Sequence, residues 1–247
     1  MTMDEKQLSN FIFAPDEELK SYSDSFESRA RDRFVAFVKE MFELGSSDEY
    51  GTMFHADRIV INKRNRRILD YIEVTALIDR VEVISLNAEV TERLIEIITN
   101  EKGFETVHHD EANSKITIPL PPLTFNQQLE LNDAAIAKLG QLERTFFGVK
   151  SQTGQQIKKG IENEYITQVD AAKVSKEIDQ IIEHYLFNAR LFAIAKREII
   201  MGSFKPKTDL EIELYPQISP AKDFFTAAAA AQSKPPQEPE EDMTMVE

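Results

Sequence analysis

The sequence predicts an α+β chain: a bundle of three long antiparallel helices carrying an inserted small β/α/β domain, joined back through a proline hinge. Three observations predict it. Apolar residues recur every three or four positions over 15–44, 124–161 and 167–201, the spacing of one helix face. Between the first two stretches the period shortens and β-branched residues dominate, as in strands. Pro119, Pro121 and Pro122 then crowd the return to helix.

The first helix is expected over 15–44. Leu19, Tyr22, Phe26, Ala30, Phe34, Phe37, Met41 and Leu44 form its stripe, and Asp16, Glu17 and Glu18 suit the positive end of its dipole. "LGSSDEYG" breaks the pattern with turn residues. "DRIVIN", "RRILDYIEV" and "RVEVIS" read as strands. "AEVTERLIEIITNEKG" returns to helix, with Val90, Leu94, Ile97 and Ile98 on one face and Gly103 as its stop. "KITI" is one more strand.

The second helix carries Leu131, Ala135, Leu139, Leu142, Phe146, Val149, Thr153, Ile157 and Ile161. Gly140, Gly148 and Gly154 lie inside it, each costing roughly 1 kcal/mol against alanine, and Gly160 is expected to end it. Thr167 and Asp170 read as an N-cap and third helical residue. The third stripe is Val174, Ile178, Ile181, Tyr185, Phe192, Ala195 and Ile199. The expected organisation is an N-terminal extension (1–14), a bundle (15–46 and 124–202), a small domain (47–118), a hinge (119–123) and a disordered acidic tail (203–247). Proline fixes φ and disfavours helix in the residue before it, so the return link is expected to be an extended, semi-rigid elbow.

Composition narrows the function classes. The 247 residues carry a net charge of −14 and no cysteine, which excludes disulfides, thiolate nucleophiles and cysteine-bound zinc. The acidic balance argues against a wholesale nucleic-acid coat. No apolar run approaches the roughly 18 residues of a membrane helix, so a soluble chain with no membrane partner is expected. "MTMDEKQLSNFIF" reads as neither a secretory signal nor a transit peptide.

At "IPLPPLT", "EVISLNAEVTERLIEIIT" and "EYITQVDAAKVSKEIDQIIEHYLFNARLFAIAKREIIMG" the chain resembles the ribosome recycling factor family, over about Phe26 to Gly202. The resemblance implies a three-helix bundle with a β/α/β domain between its first and second helices. It also implies a non-enzymatic factor that binds the large subunit of the post-termination ribosome. With a translocase GTPase of the elongation factor G type, such a factor splits the subunits. A monomer with no cofactor and no metal is expected, and the departures from the family pattern with the acidic tail point to a mitochondrial or other organelle matrix, otherwise the cytoplasm. The alternative is a repurposed homologue acting as an assembly or structural factor of an organellar large ribosomal subunit.

The chain departs from the family where RNA is held. The family's Arg-Asn-Val-Arg-Arg-Asp-Ala run is matched by Phe147, Gly148, Val149, Lys150, Ser151, Gln152 and Thr153, leaving one cation, Lys150. Gln127 and Gln128 stand where the family has two arginines. Over 125–165 five basic residues, Arg144 among them, meet five acidic ones. Each lost phosphate contact weakens electrostatic binding. A basic cluster survives elsewhere: "RIVINKRNRR" holds Arg58, Lys63, Arg64, Arg66 and Arg67 with no acid between them. It reads either as a solvated hairpin or as an RNA or ribosomal-protein contact. The expected rRNA-binding residues are therefore Lys150, Arg144, Arg58, Lys63, Arg64, Arg66 and Arg67, and the hinge residues Pro119, Pro121 and Pro122.

Phe147 reads as a protein contact or as core. "HHDE" at 108–111 is a weak metal motif, because adjacent loop residues rarely converge on one ion. His55 and His184 are isolated, and no phosphate loop or nucleophile elbow is present, so no catalytic residue is expected.

Overall fold

A computed structural model describes residues 5–15, 17–45, 48–61 and 64–232. Lys63, Asp16 and residues 233–247 of the expected tail lie outside them. Among the described residues, 5–45 with 123–228 form one compact unit and 48–122 a second.

The first unit is a three-helix bundle of α1 (Ser21–Glu43), α4 (Phe125–Glu162) and α5 (Gln168–Met201). The expected stripes form its core: Phe26, Phe34 and Met41 of α1, Leu142 and Phe146 of α4, and Tyr185 and Phe192 of α5 are buried. The first helix starts later than its apolar pattern suggests, because the chain is extended at Lys20. Ile199 is 40% exposed and Ile200 takes the inward place. Thr124 and Gln127 form a reciprocal capping box at the start of α4. Thr167 caps α5 by accepting the Asp170 N–H at 3.1 Å, and Gly202, at φ +67°, ends it in the left-handed region. Gly160 does not end α4. It lies inside the helix, where a Cβ would come within 2.9 Å of the Tyr22 hydroxyl on α1.

The expected disordered tail is corrected over much of its length. Thr208 and Glu211 cap a short helix, α6 (Asp209–Leu214), and α7 spans Ser219–Gln232. Leu214, Ile218, Ala221, Phe224, Phe225 and Ala228 recur at helical spacing and are buried in the bundle core. Phe224 and Phe225 meet Phe192 edge-on at 5.3 and 5.5 Å between ring centroids. Alanine runs this short are unstable alone; burial of two phenylalanines, worth about 1.5–3 kcal/mol each, supplies what propensity lacks. The N-terminal extension is also ordered over Glu5–Phe11, a 3-10 helix that buries Leu8 and Phe11 in the same core. The side chains of His184 and Asn188 both reach the Phe11 carbonyl oxygen, at 3.0 and 3.4 Å.

The second unit contains α2 (Asp48–Gly51), the hairpin β1 (Arg58–Ile61) and β2 (Arg64–Arg67), and a four-stranded antiparallel sheet. That sheet has the order β3-β4-β6-β5, from Ile72–Ala76, Arg80–Ser85, Lys115–Pro119 and His108–Asp110. Val81 and Val83 of β4 pair with Ile118 and Ile116 of β6. All four are buried with Val90 and Leu94 of α3 (Ala88–Glu96). A π-helical turn at Ile97–Glu101 follows α3, and Gly103, at φ +76°, turns the chain away. Glu82 is buried on β4 between Arg80 at 2.7 Å and Lys115 at 3.0 Å, so its charge is matched on both sides.

Candidate functional site

The middle of α4 carries the residues matched to the family's RNA-gripping run. Phe146 faces inward and is fully buried. The next residue is rotated by about 100° on a helix, so Phe147 points outward and is 57% exposed. That decides between its two expected roles in favour of the surface. Phe147 and Phe187 flank a groove of about 570 Å³ between α4 and α5, lined also by Ile182 and Leu186. Ion pairs border the groove: Lys150 with Asp179 at 2.5 Å and Arg190 with Glu143 at 2.9 Å.

Phe147, Ile182, Leu186 and Phe187 make the apolar half of the lining, and Lys150, Asp179, Glu183 and Arg190 the charged half. Lys150, the one cation of the stretch 147–153, is held by a carboxylate of α5. Arg144 is exposed and makes no ion pair among the described residues. Gln127, where the family has arginine, spends its side chain on the cap: its Oε1 accepts the Thr124 N–H at 2.9 Å. Phe187 was not singled out from sequence. Its signal is the one Phe147 gives, a phenylalanine that falls off the core stripe.

The other candidates lie in the second unit. Arg58 sits opposite Arg67, Ile59 opposite Arg66, and Ile61 opposite Arg64. Directly opposed residues share a face. One face thus presents Arg58, Arg67 and Val60, and the other presents Arg64 and Arg66 beside the buried Ile59 and Ile61. All four arginines are exposed and none is ion-paired among the described residues. Asp57, the acid before Arg58, is engaged by Lys102 at 2.9 Å.

Pro119 is the last residue of β6, and the Leu120 N–H continues the ladder by donating to the Asp79 carbonyl at 2.8 Å. Of the three expected hinge prolines, Pro121 and Pro122 lie beyond the sheet. The "HHDE" segment is not the loop expected for it: His108–Asp110 is the edge strand β5. Neighbouring strand residues point to opposite faces, so His108 and His109 do not converge. Among the described residues no three His, Asp or Glu side chains are grouped as metal ligands, and no helix is long and apolar enough to cross a membrane.

Tyr185 and Lys196 are buried in the first unit, and burial shifts both. Burial and a 2.7 Å hydrogen bond to the Glu27 carboxylate hold the Tyr185 phenol well above its usual value. Burial pulls the Lys196 ammonium down to about 8. Lys196 donates to the Phe42 carbonyl at 3.0 Å and lies 5.6 Å from the centre of the Phe225 ring.

No family model matches the chain, and no curated protein matches it. Among solved structures, the chain is similar to the solution structure of the ribosome recycling factor. The identity is 15% and the TM-score 0.44, with 75% of this chain and 100% of that one covered.

Proposed function

We propose that this chain is a translation factor of the ribosome recycling type, which binds the post-termination ribosome and helps a translocase GTPase separate its subunits. One observation carries the reading. A mixed β/α unit is inserted between the first and second helices of a three-helix bundle, with Pro121 and Pro122 at the return. That is the order in which the resembling segments "EVISLNAEVTERLIEIIT", "IPLPPLT" and "EYITQVDAAKV" fall along the sequence. The work asked of such a factor is mechanical, so binding surfaces and a link between units matter more than a catalytic pocket. Pro121 and Pro122 are read as that link. The direct test is sedimentation of the chain with ribosomes. Association with the large subunit supports the reading, and absence from all ribosomal fractions at low salt contradicts it.

A second reading is favoured by the surface of α4. Lys150 is neutralised by Asp179, while Phe147 and Phe187 are exposed at 57% and 40%. Such a surface suits a protein contact better than a phosphate one. The chain would then dock on a ribosomal protein, as an assembly or structural factor of an organellar large subunit. Co-purification with precursor particles rather than mature ribosomes distinguishes this reading from the first. An organelle matrix as the location belongs to both readings, and microscopy of the endogenous protein tests it.

A further inference from the structure

We propose that the β1–β2 hairpin is a phosphate-docking ribbon for double-helical RNA, its four arginines holding backbone phosphates without reading sequence. The inference rests on the ribosome-binding reading and names the chemistry of one contact within it.

The charge pattern of the second unit carries it. Outside the hairpin, every described lysine or arginine of 48–122 has a carboxylate partner. Arg80 pairs with Asp79 and Glu82, Arg93 with Glu96 and Glu101, Lys102 with Asp57, and Lys115 with Glu82. Arg58, Arg64, Arg66 and Arg67 have none among the described residues, in a chain whose net charge is −14. Acid is plentiful, with Asp57 and Asp70 close in sequence, yet none pairs with these four arginines among the described residues.

The arrangement also works against the fold. Arg58 lies directly across from Arg67, and like charges in that position destabilise a strand pair. Charged residues do protect the free edge of a small sheet from pairing with another chain. That need is met by either sign, or by both in alternation. It does not explain four cations, nor the one on β1 opposed to one on β2. Ile59 and Ile61, buried in the second unit's core, hold the ribbon in place. The arginines therefore project from both faces of an anchored ribbon, Arg58 and Arg67 from one and Arg64 and Arg66 from the other.

The partner's chemistry follows from what accompanies the charges. Arginine forks suit phosphate oxygens in a bidentate way. Arg64 and Arg66 are two residues apart on one strand face, roughly 7 Å. No aromatic side chain lies on either strand, so there is nothing on which unstacked bases could rest. That disfavours single strands, which are held largely by stacking. Val60, 73% exposed, is the large apolar side chain exposed on the ribbon. An acidic protein partner would want more apolar surface at the centre of its contact. Backbone-presenting duplex RNA needs neither feature. The overall negative charge does not prevent the contact, because screening confines each charge to about 8–10 Å at physiological salt.

The test uses the full chain and a fluorescein-labelled 20-base-pair RNA stem of arbitrary sequence, followed by anisotropy between 50 and 200 mM salt. The wild-type chain should bind with a log–log salt slope on the order of −3 to −4, as expected for about four phosphate contacts. The variant Arg58→Gln/Arg64→Gln/Arg66→Gln/Arg67→Gln should lose at least tenfold in affinity at 50 mM salt and most of the slope. Its melting temperature should be unchanged or higher, since the Arg58–Arg67 repulsion is gone. The corresponding four-lysine variant should keep the slope. Equal binding by the glutamine variant, a slope near zero, or equal competition by a polyglutamate peptide overturns the proposal, and the last result assigns the ribbon to an acidic protein. If the stem is not bound while the chain still sediments with ribosomes, the ribbon proposal fails and the recycling reading stands. If the stem is bound but ribosomes are not, the reverse holds.

Discussion

Lys150 on α4 and Asp179 on α5 form an ion pair at 2.5 Å, at the turn of α4 matched to the family's phosphate-gripping residues. Both side chains are partly exposed, so the pair contributes at most about 1 kcal/mol to stability. Its larger effect is on availability. An ammonium held by a carboxylate of its own bundle is a weaker phosphate ligand than a free one. Asp179→Asn should therefore raise affinity for duplex RNA by about two- to fivefold at low salt, the range that a surface pair of this strength allows. The change should vanish in the Asp179→Asn/Lys150→Met double variant. Anisotropy titrations of the single and double variants check this, and an unchanged affinity in Asp179→Asn would show that Lys150 is not an RNA contact.

Phe147 and Phe187 border the α4–α5 groove from the solvent side. Replacing either with serine should shift stability by about 0.5 kcal/mol or less, as for a surface substitution. If the groove docks a ribosomal protein, the Phe147→Ser/Phe187→Ser variant should lose about tenfold or more in ribosome association, as removal of aromatic anchors does. Sedimentation with purified large subunits measures it. Undiminished association would remove the groove from the binding surface.

Phe225 of α7 is buried against Phe192 of α5 and stacks with Phe42 of α1 at 6.5 Å. Phe225→Ala should cost about 3–5 kcal/mol, far more than Phe147→Ala. Urea denaturation of the two variants side by side decides it. Similar midpoints would mean that α7 does not pack on the bundle.

Lys196 makes stability depend on pH in a defined window. Burial lowers its folded-state value from 10.5 to about 8, so between those values the unfolded chain binds the extra proton. Stability should rise as pH increases from about 8 to 10.5, by about 3 kcal/mol from this group. Below pH 8 both states are protonated and the penalty is fully present. Lys196→Met should stabilise the protein at pH 7 by about 1–3 kcal/mol and flatten the rise above pH 8. Parallel pH profiles for the two proteins would show that Lys196 finds solvent in the folded chain.

The three bundle helices were legible because Phe26, Phe34, Leu142, Phe146, Tyr185 and Phe192 keep a strict three-or-four spacing over long stretches. Thr167 and Gly103 announced a cap and a stop. The C-terminal helices were not legible in the same way. Prolines and an alanine run dominate 203–232 by composition, while the signal lay in six residues from Leu214 to Ala228 at helical spacing. Gly160 was misread for a different reason: a glycine near a helix end suggests termination, but its role depends on Tyr22, more than a hundred residues away. At the candidate site, the Lys150–Asp179 pair and the isolation of the hairpin arginines are tertiary facts. Sequence gave the residues and their charges; only the fold shows which charges are cancelled.

The central claim is tested most directly by subunit splitting. Post-termination ribosomes from the source cells, their translocase GTPase with GTP, and the full chain are mixed at low salt and resolved by sedimentation. The account predicts that the monosome peak falls and free subunits rise only when chain and translocase are both present. A monosome peak unchanged by folded protein contradicts it.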